Sequence, residues 1–502
     1  MAQTDPSRIP VIAGVGEAID RPADPACALE PLALMEAALR AAEADAGAAL
    51  LRRLDSLDVI NVVSWPSTDM PGRLAERLGI APARRVYGVL GGETPTRRIH
   101  DAALRIARGE SQAAAICGGE AERSVQQARK AGMTLPWAPR DPDFKGVDRS
   151  YLHPELIRHG MVLPLALYAL YESATQAHWG QTPAEGLEET GALWSDFSAI
   201  AARNPCAWSG RQLEPEEITR PGPDNRPVAW PFTKWTVAQP AVNQGAAILV
   251  TSLGEARAAG VPESRLIHIW GGAAADEPHA VLTRENFHAA PAMDVVLEAA
   301  VKLAGSRSDA FVAREFYSCF PPVPKMARRS LGLPQGTEPS VAGGLTFFGA
   351  PVNDYMAHAA AAMVRRLRES SGGPGLLYGQ GGHVTKHHAL VLGREPPPRP
   401  LETGDYVRQD EADRRHGPAP AIVPEYDGPA RVEASTVLYG RDGAPTHGTV
   451  VARTPAGARI IARVPAADTE AIAALTELSR SPVGLEGRTT SGAEGLLAWR
   501  LA

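Results

Sequence analysis

The residues best suited to chemistry fall in a few short runs. The densest is His383, Lys386, His387 and His388, just past Tyr378-Gly379-Gln380-Gly381-Gly382. Strand alternation would set His383 and His387 on one face and His388 on the other, a pair of imidazoles of the kind that can begin a metal site. No third ligand follows at a recognisable spacing, so the expectation is a polar strand end and no metal. Cys319, in Phe316-Tyr317-Ser318-Cys319-Phe320, could act as a nucleophile only as a thiolate, and a buried, inert thiol is the more frequent case. Cys117 closes an apolar run and reads as core. The four cysteines, Cys27, Cys117, Cys206 and Cys319, form no CxxC pair, which indicates neither a disulfide framework nor a zinc site and points to a cytoplasmic setting. The glycine pairs Gly91-Gly92 and Gly343-Gly344 lack the GxGxxG spacing that cradles a dinucleotide, so NAD is not expected.

Positioning these runs takes a large α/β frame. At 502 residues the chain suggests two or three domains, and a net charge of −6 gives no polyanion-binding balance, so nucleic acid is not an expected partner. The polar start, 1–10, carries no signal core, and no run is long enough to span a bilayer. Pro10-Val11-Ile12-Ala13-Gly14-Val15-Gly16 predicts a buried strand and 31–46 a helix; strands over 57–63 and 85–90 then alternate with helices over 72–78 and 94–108. Such alternation argues for a sheet covered on both faces. An excursion rich in Pro, Trp and His follows over 121–238, and the sheet resumes at 242–250. The theme then repeats, with strands over 266–270 and 315–320, helices over 294–303 and 356–367, and a strand pair over 376–392. Pro396-Pro397-Pro398-Arg399-Pro400 is a stiff break. Beyond it, short alternating strands and one helix suit a small five-stranded barrel of OB type, expected to form its own unit and to tolerate cutting at the linker.

Several runs together resemble a known family. Gly343-Gly344-Leu345-Thr346-Phe347-Phe348-Gly349-Ala350-Pro351 resembles the thiolase motif GGxxxxGHP, with alanine in place of the histidine. Tyr87-Gly88-Val89-Leu90-Gly91-Gly92-Glu93-Thr94-Pro95 stands where thiolases keep a CxSG turn before a helix, with Gly91 or Gly92 at the cysteine, and Cys117-Gly118-Gly119-Glu120 resembles their GGxE. Asn204-Pro205-Cys206-Ala207-Trp208 and Trp230-Pro231-Phe232-Thr233-Lys234 add to the match, as do the runs around Tyr317 and Tyr378. Residues 11–392 thus resemble the thiolase superfamily, most of all the thiolase-like proteins related to sterol-carrier-protein thiolases and to acetyl-CoA acetyltransferases that carry an added C-terminal domain. The resemblance implies a five-layered α/β fold of two βαβαβαββ halves, followed by the OB-like barrel. The first half would be 1–120 with 239–255, the inserted CoA-binding loop domain 121–238, the second half 256–395, the linker 396–404 and the barrel 405–502.

Thiolase chemistry needs a thiolate, a histidine to form it, a second cysteine to move the α-proton, and donors for two oxyanions. By the resemblance, Gly91 or Gly92 replaces the nucleophile, Ala350 the base, Tyr378 or Gly379 the second cysteine, and Tyr317 a residue of the oxyanion-hole motif. Thiolysis and Claisen condensation through an acyl-cysteine should therefore fail. Tyr317 and Tyr378 become candidate donors for aldol or retro-aldol chemistry on an acyl-CoA. His159 and Met161 resemble a segment lining the pantetheine tunnel, and Lys234 and Arg220 could face CoA phosphates. The competing expectations are a non-catalytic protein that binds CoA thioesters or lipids, and a scaffold subunit docking a partner enzyme. Monomer and homodimer are both open.

Overall fold

The structure is a computed structural model and describes residues 5–144, 150–492 and 495–502, so the first four residues of the polar start lie outside it. The first half supplies strands β1 (Pro10–Ile19), β2 (Ser56–Val59), β3 (Arg84–Tyr87) and β4 (Ala113–Ala121). The excursion carries a short hairpin, β5 (Pro227–Ala229) and β6 (Phe232–Thr233), before β7 (Asn243–Ser252) returns to the sheet. The second half supplies β8 (Ile267–Asp276), β9 (Ala313–Phe316), β10 (Pro374–Gly381) and β11 (Lys386–Gly393). β4 and β7 are buried along their whole length, which is why residues 113–119 and 245–250 read as unbroken apolar and small-residue runs rather than as alternating ones. Gly14 and Gly16 of β1 lie so close to the helix Pro31–Ala46 that a side chain at either would strike the carbonyls of Ala42 and Ala38.

These strands form one large mixed sheet in the order β3-β2-β4-β7-β1-β8-β11-β10-β9. The two halves repeat each other in pairing as well as in order. β2 lies parallel to β4, and β4 to β7 and β7 to β1 run antiparallel. Correspondingly, β9 lies parallel to β10, and β10 to β11 and β11 to β8 run antiparallel. The halves meet where Val11 and Ile12 face His268 and Ile267. Among the described residues, no strand of the second half takes the place of β3. A buried ion pair ties the excursion to the second half: Lys325 Nζ lies 2.6 Å from Glu172 Oε1 and also donates to Gly186 O and Thr190 Oγ1.

Beyond the proline-rich segment, β12 (Gly428–Tyr439), β13 (Pro445–Arg453), β14 (Arg459–Pro465), β15 (Glu486–Ser491) and β16 (Leu497–Leu501) close into a five-stranded barrel. Its core is a separate cluster that includes Val450, Ile460, Val464 and Trp499. The barrel is nevertheless joined to the rest. The hairpin β5–β6 extends its sheet, with Ala229 opposite Leu438 and Trp230 N donating to Val437 O at 2.8 Å. The segment just past the linker also runs against β8, where Ala274 N donates to Tyr406 O at 3.1 Å and Arg408 N to Ala274 O at 2.7 Å. The barrel, expected as its own unit, has its own core and is also bonded to the excursion and to β8, because an extended segment beside a strand satisfies its own backbone by pairing with it.

A second correction concerns the histidines. β11 begins at Lys386, so His383 is not on it; it sits in the turn before, with left-handed backbone at φ 61, followed by Val384 at φ 58. The expected pairing of His383 and His387 on one strand face is therefore absent. His387 and His388 do alternate, His387 toward Tyr378 and His388 toward His100.

Candidate functional site

The turn Gly91-Gly92-Glu93 leads into the helix Thr94–Arg108, and the Asn353 side chain pins it: Gly91 N donates to Asn353 Oδ1 at 2.9 Å, and Asn353 Nδ2 donates to Asn61 O at 2.9 Å. A side chain on Gly92 would run into the Tyr317 hydroxyl and the Gln380 carbonyl, whereas one on Gly91 would run into the Glu93 carboxyl. Gly92 is thus the position that opens toward Tyr317. Tyr317 follows β9, its N–H donating to Tyr378 O at 3.0 Å, and its ring meets Tyr355 edge-on with centroids 6.0 Å apart. Tyr355 OH donates to Glu315 Oε1 at 2.6 Å and accepts from Gly344 N at 3.1 Å. Residues Gly344–Phe348, from the GGxxxxG run, form one wide helical turn of a kind that clusters at functional sites.

Beside Tyr317, Tyr168 OH donates to Gln380 Oε1 at 2.9 Å, and the Cys319 Sγ lies 3.6 Å from the same oxygen. Burial pushes the Tyr317 phenol well above its ordinary range and the Cys319 thiol up to about 12, so both stay protonated. In that state the Cys319 thiol donates to Gln380 Oε1, and the Tyr317 phenol is a neutral group beside Gly92. Glu93 is fully buried and neither of its carboxyl oxygens has a hydrogen-bond partner among the described residues. Burial raises its pKa against the pull of Lys386 and Arg97. Sequence reasoning assigned Glu93 no role; the one signal was a carboxylate wedged between a glycine pair and a helix start.

Of the residues singled out in the sequence, the structure brings Gly91, Gly92 and Tyr317 together. Ala350 is buried and offers only a methyl group, its N–H bonded to Gln239 O at 2.9 Å. Tyr378 is engaged elsewhere: its hydroxyl lies 2.8 Å from His387 Nδ1, and the two rings lie parallel within 10°. Strand alternation explains this, since Gly379 and Gly381 are the β10 positions that face Glu93, leaving Tyr378 on the other face. His159 is buried with Nδ1 2.8 Å from Glu155 O and Nε2 without a partner among the described residues. Met161 is fully buried, and Lys234 is exposed, 4.9 Å from the Trp235 ring centre. Two cavities, of about 650 and about 360 Å³, are bordered by neither Gly92 nor Tyr317. Arg220 borders the smaller one. Among the described residues, no group of three His, Cys, Asp or Glu side chains is placed to hold a metal, and no helix is long and apolar enough to cross a membrane.

A doubled strand order with its functional turns at a helix N-terminus defines a protein of the thiolase fold. The fold is shared over the whole length with a monomeric SCP2-thiolase-like protein type 1 from Mycobacterium smegmatis, at 28% identity, full coverage of both chains and a TM-score of 0.82. It is shared over 77% of this chain and 98% of the other with the Ltp2-ChsH2(DUF35) aldolase, at 21% identity and a TM-score of 0.59. A human mitochondrial 3-ketoacyl-CoA thiolase in complex with CoA matches 77% of this chain and 98% of its own at 16% identity and a TM-score of 0.55. Residues 411–492 match the additional C-terminal domain of thiolase-like protein type 1. No curated protein matches the chain. The chain thus has the thiolase fold and is similar along its whole length to a thiolase-like protein, with the added-domain match confined to residues 411–492.

Proposed function

We propose that the protein binds an acyl-CoA-type thioester without forming an acyl-enzyme, presenting a neutral phenol where thiolases present a thiolate. The observation that carries this reading is the Tyr317 hydroxyl standing where a side chain on Gly92 would be. A phenol that stays protonated can donate to a thioester oxygen within about 2.6–3.2 Å without any shift of its pKa toward neutrality. His159 and Lys234 are the groups proposed to hold CoA. The unpartnered Nε2 of His159 fits an amide N–H of the pantetheine arm, and the exposed Lys234 ammonium fits a phosphate. Calorimetry with CoA, acetyl-CoA and acetoacetyl-CoA tests the proposal. Saturable binding with no thiolysis and no acyl group on the protein by mass spectrometry is expected; absence of binding to all three overturns it.

Glu93 favours a second reading, aldol or retro-aldol turnover. In that reaction the Glu93 carboxylate takes the hydroxyl proton of a β-hydroxyacyl-CoA and the Cα–Cβ bond breaks to release an aldehyde. The bond electrons form the thioester enolate, whose oxygen accepts a hydrogen bond from Tyr317, and the proton returns to Cα. The raised pKa of Glu93 suits a group that must both take and give a proton. Tyr317→Phe should then lower turnover while leaving CoA binding unchanged, and equal losses of both would count against the assignment.

A further inference from the structure

The larger cavity, about 650 Å³, lies between the helix Pro291–Leu303, strand β8 and the segment 397–408 leading to the barrel. Its apolar walls include Trp270, Leu303 and Leu401, and Trp270 is held by its Nε1 donating to Glu395 O at 2.9 Å. Gly271, at φ 123, lets the backbone turn there, and a side chain on it would press on Leu401. The volume is typical of small-molecule sites.

His100 also borders this cavity while being only 1% exposed, and its neighbours determine its tautomer. Thr96 Oγ1 donates to Glu93 O at 2.8 Å, so it accepts from His388 Nδ1 at 3.0 Å. Burial keeps both rings neutral, with the His100 pKa lowered to about 3 and that of His388 well below its ordinary value. His388 Nε2 is then an acceptor and receives the proton of His100 Nδ1 at 3.2 Å. This leaves His100 Nε2 as a lone pair with no partner among the described residues. Tyr406 covers the His100 ring at a centroid distance of 4.2 Å, but its hydroxyl is committed to Asp101 at 2.8 Å. An acceptor of this kind, on a ring almost wholly buried yet bordering the cavity, is open to an N–H or O–H donor placed there.

The rim supplies charge. Glu402 is paired with Arg408 and Glu411 with Arg415, and the Asp405 carboxylate accepts from Val407 N. Lys302 and Arg399 line the cavity and make no ion pair among the described residues, so two uncommitted cations stand there beside the Asp405 carboxylate, whose partner is a backbone N–H.

We propose that this cavity binds an amphipathic organic anion carrying an N–H or O–H donor at its apolar end. The donor meets His100 Nε2, the apolar body lies against Trp270, Leu303 and Leu401, and the anionic end meets Lys302 and Arg399. The site is separate from the turn at Gly92 and does not depend on the thioester reading.

The probe 6-(p-toluidino)-2-naphthalenesulfonate carries its aromatic amine at the opposite end of the apolar body from the sulfonate, and its fluorescence rises on binding. Titrated into the full-length folded protein, it should bind saturably. Ala299→Trp, which fills the cavity, should abolish that binding. The surface pair Lys302→Glu with Arg399→Glu should weaken it about tenfold or more, and His100→Phe should weaken it as well. Leu187→Trp, which fills the smaller cavity, should leave it unchanged. Melting curves confirm that each variant is folded, and the surface pair keeps the test valid where a buried substitution disrupts folding. Absence of saturable binding, wild-type binding by both Ala299→Trp and the charge-reversed pair, or loss confined to Leu187→Trp overturns the proposal.

Discussion

Arg459, on barrel strand β14, donates from Nη1 to the carbonyl of Arg284 at 2.5 Å, and Arg284 in turn holds the turn that follows Gly381-Gly382. Arg284 Nη1 donates to His383 O at 3.0 Å and Val384 O at 2.9 Å, and Nη2 donates to Thr385 Oγ1 at 2.5 Å. His383 and Val384 both have left-handed backbone, which for a β-branched residue persists only under firm restraint. Arg459 is fully buried and itself aligned by Glu433, with Nε 2.9 Å from Oε2. The barrel thus reaches the edge of the candidate site through two guanidinium groups.

Arg459→Met should leave Glu433 with one cation fewer and the Leu282 and Arg284 carbonyls without their side-chain donor, while Glu285 O keeps Arg453. Removing one partner of a buried pair costs about 3–5 kcal/mol. Hydrogen exchange should rise at 383–386 before it rises in β10 itself. Lost stability with unchanged exchange at that turn would confine the effect to the barrel. By the same reasoning, a chain ending at Gly404 should not retain a native second half.

Gly92→Ala should destabilise the protein by about 1–3 kcal/mol, because its methyl group meets the Tyr317 hydroxyl. In a Tyr317→Ala background the penalty should shrink, though not vanish, since the Gln380 carbonyl remains close. Urea titrations of the two single variants and the double variant measure the coupling, expected at about 1 kcal/mol or more. Additive effects would mean that the phenol does not fill that space.

Wild-type protein should show no thiolysis of acetoacetyl-CoA, and Gly92→Cys alone should stay near background. Catalytic groups that work as a unit fail together, so a thiol at 92 beside an alanine at 350, the position the thiolase resemblance gives to the base, should gain little. Acyl transfer to a mapped cysteine in the wild-type protein would contradict this.

His416 and Glu277 form an ion pair at 3.0 Å that fastens the start of the C-terminal region to the second half. The Glu277 carboxylate beside it raises the His416 pKa above 6.5, so the folded state holds this proton more tightly than the unfolded one. The stabilisation is complete below about pH 6.5 and fades as pH climbs through the raised value. Chemical denaturation of wild type and His416→Gln should differ by about 1 kcal/mol near pH 5.5 and converge above about pH 9. A gap that widens with pH would refute the sign.

The alternating β and α runs and the barrel were legible in the chain itself. A strand buried on both faces must be an unbroken run of apolar and small residues, and Gly92 and Ala350 lack nucleophile and base by residue type alone, wherever they sit. Tertiary structure alone decided which tyrosine meets Gly92, because side-chain direction in β10 depends on its pairing with β9 and β11. It also decided that Ala229 joins a barrel strand at Leu438 and that Arg459 reaches a carbonyl 175 residues earlier. Glu93 became a buried acid only once the sheet and the helices closed around it. Local periodicity reports which face of an element is apolar; burial, hydrogen-bond direction and pKa belong to the groups that the packed chain brings together.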